Sequence, residues 1–522
     1  MKNIFFYGLS LAFLLSGCYS ADTKVGNNKP EYSDPHSFSF PDEARVKHLD
    51  IDLKVDFNNK QLVGKAVWQI ETAVNAKEII FDTYGLDIEK VTLGKNEQSS
   101  TYTLSTYDPV LGSALHIPID SSIKIVSIYY HTTDSSHALQ WLEPEQTSGG
   151  KNRFLFTQSQ AILARSWIPT QDSPGIRFTY TATVHTPKGY LALMSARNPQ
   201  AVNEDGYYTF EQPYPIPSYL MALAVGVISF ESIGERCGVY AEPDILTKAH
   251  YELAETEDML KAAELLYGAY AWERYDILIL PPSFPFGGME NPMLTFATPT
   301  ILAGDRSLTT LIAHELAHSW SGNLVTNASW NDFWLNEGFT VYVERRIMEA
   351  LYGKNYADML SVLGYQDLLY ALEEIKTSEN LTDGALVLSL DYRNPDDAIG
   401  DVAYEKGAAL LTTIEQLVGR ERFDPFLTSY FKTYAFSSVN TNMFVDFLYS
   451  QLLKKGSEED KKLNLDTWLH TEKIPNTFIQ PVSIRFIETG NEAHAFLAGK
   501  AASDLKTSEW TSHEWQYFLR YV

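Results

Sequence analysis

The sequence predicts a multidomain α+β protein, with an antiparallel β domain first, an α+β domain next and a short helical segment last. Three observations support this prediction. Alternating apolar residues recur through about the first 200 residues, a helix-favouring composition begins near residue 240, and apolar residues recur at helical spacing near the end of the chain. The 522 residues are 45% apolar and 13% aromatic, so the chain can form several folded domains.

The β domain is predicted from runs in which every second residue is apolar. Such a period of two is typical of a half-buried antiparallel strand. The first run comprises Leu49, Ile51, Leu53, Val55 and Phe57, and similar runs follow at 63–70, 123–130 and 178–184. Turn-forming residues separate them. We therefore place an N-terminal β domain at residues 41–235.

The next part of the chain is predicted to be mainly helical. Residues 248–270 are rich in Ala, Glu, Leu and Met, and most segments up to about residue 455 favour helix. Short strands are expected at 277–280 and around 289–296. Helices combined with short strands indicate an α+β domain, which we place at residues 236–472.

The end of the chain is predicted to hold a linker and the start of a helical domain, residues 473–522. Trp515, Phe518, Leu519 and Val522 recur at helical spacing, so they form an apolar stripe with little left to pack against. We expect a truncated C-terminal domain.

The first residues predict a targeting signal. Residues 1–17 contain Lys2 and an apolar run from Ile4 to Leu15, too short for a stable membrane span. The sequence up to Cys18 resembles a bacterial lipoprotein signal, in which Cys18 would carry the lipid. The alternative is an ordinary secretory signal with an incidental cysteine. Residues 18–40 are polar and predict a flexible tether.

The resemblance to a lipoprotein signal implies a place in the bacterial cell envelope, attached to a membrane through Cys18. Tyr19 occupies the place where an inner-membrane retention signal usually has Asp, which slightly favours the outer membrane. The other cysteine, Cys237, then has no intramolecular partner. It is predicted to be a small core residue, with a reactive thiol as the alternative.

The net charge of −25 argues against nucleic acid as a partner, because phosphate binding requires a basic surface. The acidity is explained by solubility, or by attraction of the cationic N-termini of peptides.

The strongest chemical signal is the segment His314–Glu337. His314 and His318 stand four residues apart, so on a helix both project from one face, and Glu337 follows His318 after eighteen intervening residues. Two imidazoles and one carboxylate can hold one zinc ion and leave a fourth position open, as in catalytic sites. Glu315 is placed to act as the general base. Two surface histidines are the alternative, but the apolar neighbours of this helix predict burial, which would be costly without a metal.

A second motif is Phe286-Gly287-Gly288-Met289-Glu290-Asn291. Together with HELAHSW and WLNEGF, it resembles the zinc aminopeptidase family that includes aminopeptidase N and the leukotriene-epoxide hydrolase/aminopeptidase. The similarity runs from about residue 41 to the end and is strongest, towards the leukotriene-hydrolase branch, between Gly287 and Arg346. It implies that the α+β domain is a thermolysin-like catalytic domain.

The resemblance also implies roles for further residues. Glu290 would pair with the free α-ammonium of a peptide, and Gly287, Gly288, Met289 and Gln160 would bind substrate beside it. Tyr404, in the motif Tyr404-Glu405-Lys406-Gly407, would stabilise the oxyanion. The alternatives are a hydrogen bond within the β domain for Gln160 and a core position for Tyr404.

The main hypothesis is thus a zinc aminopeptidase that hydrolyses the N-terminal bond of peptides. An epoxide hydrolase side activity stays open, since Asp396 occupies the position of that branch's epoxide-directed aspartate although Ile399 replaces a tyrosine. A thermolysin-type endopeptidase and a non-catalytic surface binding module stay open as well. The family's residues that hold the peptide carboxylate would lie in the absent C-terminal part, which leaves preferred peptide length open.

Overall fold

The computed structural model describes residues 34–522. The predicted signal and Cys18 lie outside the described residues. None of the helices in residues 34–522 combines the length and apolar composition that crossing a membrane requires.

The N-terminal part is a β domain, as predicted. Its strands form a seven-stranded sheet in the order β13-β11-β1-β2-β8-β4-β5, a three-stranded sheet β3-β7-β6 and a four-stranded sheet β12-β14-β10-β9. The strands are β1 (Ala44–Asp56), β2 (Gln61–Thr72), β3 (Glu78–Thr83), β4 (Leu86–Leu93), β5 (Gln98–Ser100), β6 (Thr103–Leu104), β7 (Ser113–Pro118), β8 (Ile125–Thr132), β9 (Leu139–Leu142), β10 (Phe154–Thr157), β11 (Arg177–His185), β12 (Leu191–Met194), β13 (Tyr207–Pro217) and β14 (Leu223–Gly226).

Alternation in these strands packs one face against the core. Leu49, Leu53 and Val55 of β1 are buried between exposed residues. Behind them Trp68 contacts Phe178 edge to face, with ring centroids 4.8 Å apart. The pairing is antiparallel except between β1 and β11, which run parallel.

A five-stranded sheet links the β domain to the catalytic domain. Its order is β15-β16-β17-β19-β18, from strands β15 (Ser229–Ser232), β16 (Cys237–Ala241), β17 (Tyr275–Ile279), β18 (Gly288–Met289) and β19 (Thr295–Ala297). Because β15 pairs with β16, the sheet begins before residue 236, where the sequence places the boundary. Cys237 is fully buried in β16, and burial raises the pKa of its thiol, as expected for a core residue.

The rest of the chain is mainly helical. Two further strands, β20 (Val325–Asn327) and β21 (Ser437–Val439), pair in parallel. The helices are α1 (Leu246–Glu252), α2 (Thr256–Tyr267), α3 (Thr310–Ala317), α4 (Trp334–Tyr352), α5 (Lys354–Ile375), α6 (Gly407–Val418), α7 (Arg420–Thr433), α8 (Thr441–Gln451), α9 (Glu458–Leu463), α10 (Leu465–His470), α11 (Ile484–Leu497) and α12 (Ser512–Tyr521).

The last two helices pack against each other. The rings of Phe486 in α11 and Tyr517 in α12 stack with centroids 4.3 Å apart. The predicted stripe on α12 divides between core and solvent: Phe518 is buried, whereas Leu519 is 68% exposed.

The segment that follows residue 33 is packed, although the sequence predicts a tether up to residue 40. Asp34 and His36 are both buried. His36 Nε2 lies 3.0 Å from the carbonyl oxygen of Leu390, and Arg165 Nη2 donates to the carbonyl of His36 at 2.6 Å. The polar composition that suggested a tether instead supplies buried hydrogen bonds.

Candidate active site

The three predicted metal ligands lie together. His314 is in α3, His318 caps its C-terminus, and Glu337 is in the first turn of α4. His314 Nε2 and His318 Nε2 are 3.2 Å apart, and Glu337 Oε2 lies 3.3 Å from the first and 3.5 Å from the second. The helical spacing of four thus places both rings on one face, as the sequence predicts.

The donor atoms fit a zinc ion. A tetrahedral zinc with bonds of about 2.0–2.1 Å separates its ligand atoms by about 3.3–3.4 Å, close to the three distances found here. Glu337 Oε2 is buried without a hydrogen-bond partner among the described residues, and such a carboxylate oxygen is costly unless a cation neutralises it.

Neighbouring groups orient the two imidazoles. His314 Nδ1 lies 3.0 Å from Glu344 Oε2, and His318 Nδ1 lies 3.1 Å from the carbonyl oxygen of Ser321. Burial lowers the pKa of His318 to about 4, which favours the neutral ring that a metal requires. Sequence reasoning missed Glu344, although it follows Glu337 by seven residues and so falls on the same helix face.

Glu315 is buried beside the ligands. Burial raises the pKa of its carboxyl well above the usual range. Gly288 lies against this carboxyl so closely that a Cβ at residue 288 would be 2.2 Å from Glu315 Oε1. The absent side chain at Gly288 therefore makes room for the predicted base.

Tyr404 lies over the same centre. Its ring stacks on His314 with centroids 6.0 Å apart. Burial raises the pKa of Tyr404 well above its usual range, so the phenol keeps its proton and remains a donor. It belongs to a π-helical turn, Val402–Lys406, a distortion that often marks functional residues.

Two glycines bring the turn of Tyr404 close to the helix that carries Glu337. A Cβ at Gly338 would lie 2.6 Å from Gly407 Cα, and a Cβ at Gly407 would lie 2.7 Å from Gly338 Cα. Both glycines belong to motifs singled out in the sequence. Their contact accounts for a glycine at each position, because α4 and α6 can approach this closely only without side chains at the crossing.

Lys406 anchors the same turn from within the core. It is fully buried, and its ammonium donates to the carbonyls of Gly384, at 2.8 Å, and Thr471. Burial lowers its pKa from 10.5 to about 7.

Substitution of Lys406 by Met should change the pH dependence of stability. Between pH 7 and 10 the unfolded wild-type chain keeps the lysine proton that the folded chain releases, so the free energy of unfolding rises with pH. This gain is lost as the pH falls from about 10 to 7, and none of it remains below the pKa of the folded chain. The unfolding free energy of wild type minus that of Lys406→Met should therefore rise by about 2–3 kcal/mol from pH 6 to 9. Denaturant titrations measure it, and the exposed-site variant Lys376→Met should show no such growth.

Glu290 lies close to the metal-binding group. Oxygen or nitrogen atoms of Glu290, Glu315 and His318 all lie within 4.8 Å of one another. Glu290 is buried, and its Oε1 has no hydrogen-bond partner in the described part of the chain. An unpaired carboxylate oxygen next to the zinc ligands is suited to receive a cationic group of a ligand.

A cavity of about 900 Å³ opens onto this centre. Gln160, Gly287 and Gly288 line it together with His314, Glu315 and Tyr404. Met289 lies behind this wall, where its sulfur accepts a hydrogen bond from Gln158 Nε2 at 3.3 Å. The cavity wall also includes Asp396 and Ile399; Asp396 Oδ1 accepts from the backbone N–H of Ala161 at 3.3 Å.

Comparison with known proteins agrees with this arrangement. The Peptidase family M1 domain matches residues 251–468, and the Peptidase M1 N-terminal domain matches residues 45–220. The chain belongs to the peptidase M1 family. It is 44% identical to leukotriene A-4 hydrolase of Xenopus laevis over 455 residues, which are 85% of this chain and 74% of that protein. It is 40% identical to leucine aminopeptidase 2 of Yarrowia lipolytica over 464 residues, 87% of this chain and 70% of that one.

The fold of this M1 peptidase matches solved structures as well. Yeast LTA4 hydrolase in complex with bestatin superimposes with a TM-score of 0.85 at 35% identity, covering 94% of this chain and 80% of that one. The predicted three-part fold is confirmed, and the protein is a zinc metallo-aminopeptidase. The alternative of a non-catalytic binding module is not supported, because His314, Glu315, His318, Glu337 and Tyr404 are all present in one centre.

Proposed function

We propose that this M1 aminopeptidase removes the N-terminal residue of peptides with Glu315 as general base, Tyr404 as oxyanion donor and Glu290 as the anchor of the α-ammonium. The carrying observation is the proximity of Glu290, Glu315 and His318, whose polar atoms lie within 4.8 Å of one another. An ammonium paired with Glu290 would bring the first peptide bond, and no later one, to the base and the metal.

Zinc held by His314, His318 and Glu337 would supply a Lewis acid that activates water and polarises the carbonyl. Glu315 accepts the proton of the attacking water and later delivers it to the leaving amine. Tyr404 donates its phenolic hydrogen to the carbonyl oxygen as negative charge develops there.

Glu290 restricts cleavage to the end of the chain. Its buried carboxylate would form a charge-assisted contact with the free ammonium, and the amide of Gln160 lines the substrate cavity. A thermolysin-type endopeptidase has no use for such a counter-charge. Asp396 also lines the cavity, where its Oδ1 accepts from the backbone N–H of Ala161, and the peptidase assignment does not depend on it.

Glu290→Gln tests this assignment. The variant keeps the shape of the side chain but loses the charge, so kcat/KM for leucyl-p-nitroanilide should fall about 10- to 100-fold. The residual rate on the N-acetylated substrate should not change, and bound zinc should stay at one per chain. An equal fall on both substrates would mean that Glu290 does not bind the ammonium.

We further propose that the enzyme is held in the bacterial cell envelope by lipid on Cys18. The proposal is supported by the basic and apolar residues that precede Cys18 in the sequence. In cells fed labelled palmitate, the wild-type protein should carry label and sediment with membranes. Cys18→Ser should remain unlabelled; label on that variant would exclude Cys18 as the attachment point.

A further inference from the structure

Arg177 lies at the interface of the two domains and is held by neutral oxygens. It begins β11 in the β domain. Its Nε and Nη2 donate to the carbonyl of Pro215 at 3.0 and 2.7 Å, and Nη2 also donates to the carbonyl of Asn323 at 2.7 Å. Among the described residues it forms no ion pair. Because the guanidinium donates several bonds to neutral carbonyl oxygens, it fixes the position of the backbone segments that carry them.

The Arg177 contacts in the catalytic domain fall on one segment, residues Ser321–Thr326, which runs into β20 and which we call the supporting loop. Arg177 Nη1 donates to Thr326 Oγ1, and that hydroxyl donates to the carbonyl of Gly322 at 2.6 Å. With the bond to Asn323, the guanidinium is joined to the middle and to the C-terminal end of this segment. The loop cannot shift without breaking these bonds to the β domain.

The supporting loop in turn holds Glu290. Asn323 Nδ2 donates to the carbonyl oxygen of Glu290 at 2.7 Å. Tyr219 and Asn336 lie beside the Glu290 carboxylate. Both are also tied to the supporting loop. Tyr219 Oη donates weakly to the carbonyl of Gly322 at 3.4 Å, and Asn336 Nδ2 donates to Tyr219 Oη at 3.3 Å. Arg177 is therefore linked to the backbone of Glu290 through a single residue, Asn323.

We infer that Arg177 is a positioning residue that reaches across the domain interface and, through Asn323, fixes Glu290 for recognition of the substrate ammonium. The inference rests on the proposed role of Glu290. It adds a residue of the β domain to the amine-binding site of the catalytic domain. Loss of Arg177 should weaken recognition of the amine more than binding of the rest of the ligand.

The experiment compares two inhibitors of the zinc-loaded enzyme, leucine hydroxamate and 4-methylpentanoyl hydroxamate, which lacks only the amine. The ratio of their inhibition constants measures amine recognition. In Arg177→Met this preference for the amine should fall about tenfold, and Arg177→Lys should restore part of it. Thr326→Val, which removes one bond while preserving volume, should cause a smaller fall in the same direction and covers the case that Arg177→Met does not fold.

Arg197→Met is the matched control. Arg197 also joins the two domains, through bonds of 2.9 and 2.6 Å to the carboxylate of Glu273, but it does not contact the supporting loop. The Arg197→Met variant should be less stable than wild type but should keep the wild-type preference for the inhibitor that carries the amine. A wild-type preference in both Arg177→Met and Thr326→Val would overturn the inference. Absence of any amine preference in the wild-type enzyme would instead refute the proposed role of Glu290.

Discussion

Glu315→Gln should lower kcat by about 10³-fold or more while one zinc ion per chain remains bound. Glutamine has the size of glutamate, but it cannot accept the proton of the attacking water. Because the three metal ligands are His314, His318 and Glu337, the change at Glu315 should leave the affinity for zinc unchanged. The measurements are steady-state hydrolysis of an aminoacyl anilide and metal analysis of the purified variant.

The control for Glu315→Gln is Glu337→Gln, which changes a ligand instead of the base. This variant should lose zinc as well as activity, and added zinc should restore part of both. If Glu315→Gln retained wild-type activity, the catalytic account would be untenable. If it lost zinc to the same extent as Glu337→Gln, Glu315 would have to be reassigned as a ligand.

Gly288→Ala should reduce kcat about 100-fold, although residue 288 carries no chemical group. The new methyl group would lie 2.2 Å from Glu315 Oε1 and 2.4 Å from its Cδ, so the carboxylate must move. A displacement of about 1 Å at a reacting group can cost two orders of magnitude in rate. Steady-state kinetics measure the effect, and unchanged zinc content would separate it from loss of the metal.

The adjacent glycine provides a matched control. A Cβ at Gly287 would meet only the Leu311 side chain, with Cδ1 at 3.0 Å, and that side chain can rotate away. Gly287→Ala should therefore keep kcat within about threefold of wild type, and any loss should fall on KM because residue 287 lines the substrate cavity. Equal losses of kcat in Gly287→Ala and Gly288→Ala would show that the loss does not arise from the contact between residue 288 and Glu315.

Local spacing explains how much of the site could be read from the sequence. His314 and His318 lie one helical turn apart, so their convergence follows from helix geometry. Tyr404 is one of 31 tyrosines, and its π-helical turn leaves no regular period to detect; only the family motif points to it. Gln160 and Glu290 likewise depend on the motif, because they come from different domains.

The features that could not be predicted depend on distances between remote segments. The contact of Gly338 with Gly407 requires two helices to cross, and the bond from Arg177 to Asn323 requires two domains to meet. The burial of Asp34 and His36 was missed because their polar side chains resemble a tether until buried partners are known. By contrast, β1 and β2 were predicted correctly, because alternation depends only on which face of a strand is buried.

The most direct test of the account is the product pattern from one decapeptide, followed by mass spectrometry in its free and N-acetylated forms. With the free peptide, we expect sequential loss of single residues from the N-terminus, abolished by a zinc chelator. The acetylated peptide should remain intact, because it lacks the ammonium that Glu290 would bind. Internal fragments from either form, or efficient cleavage of the acetylated peptide, would contradict an aminopeptidase anchored on Glu290.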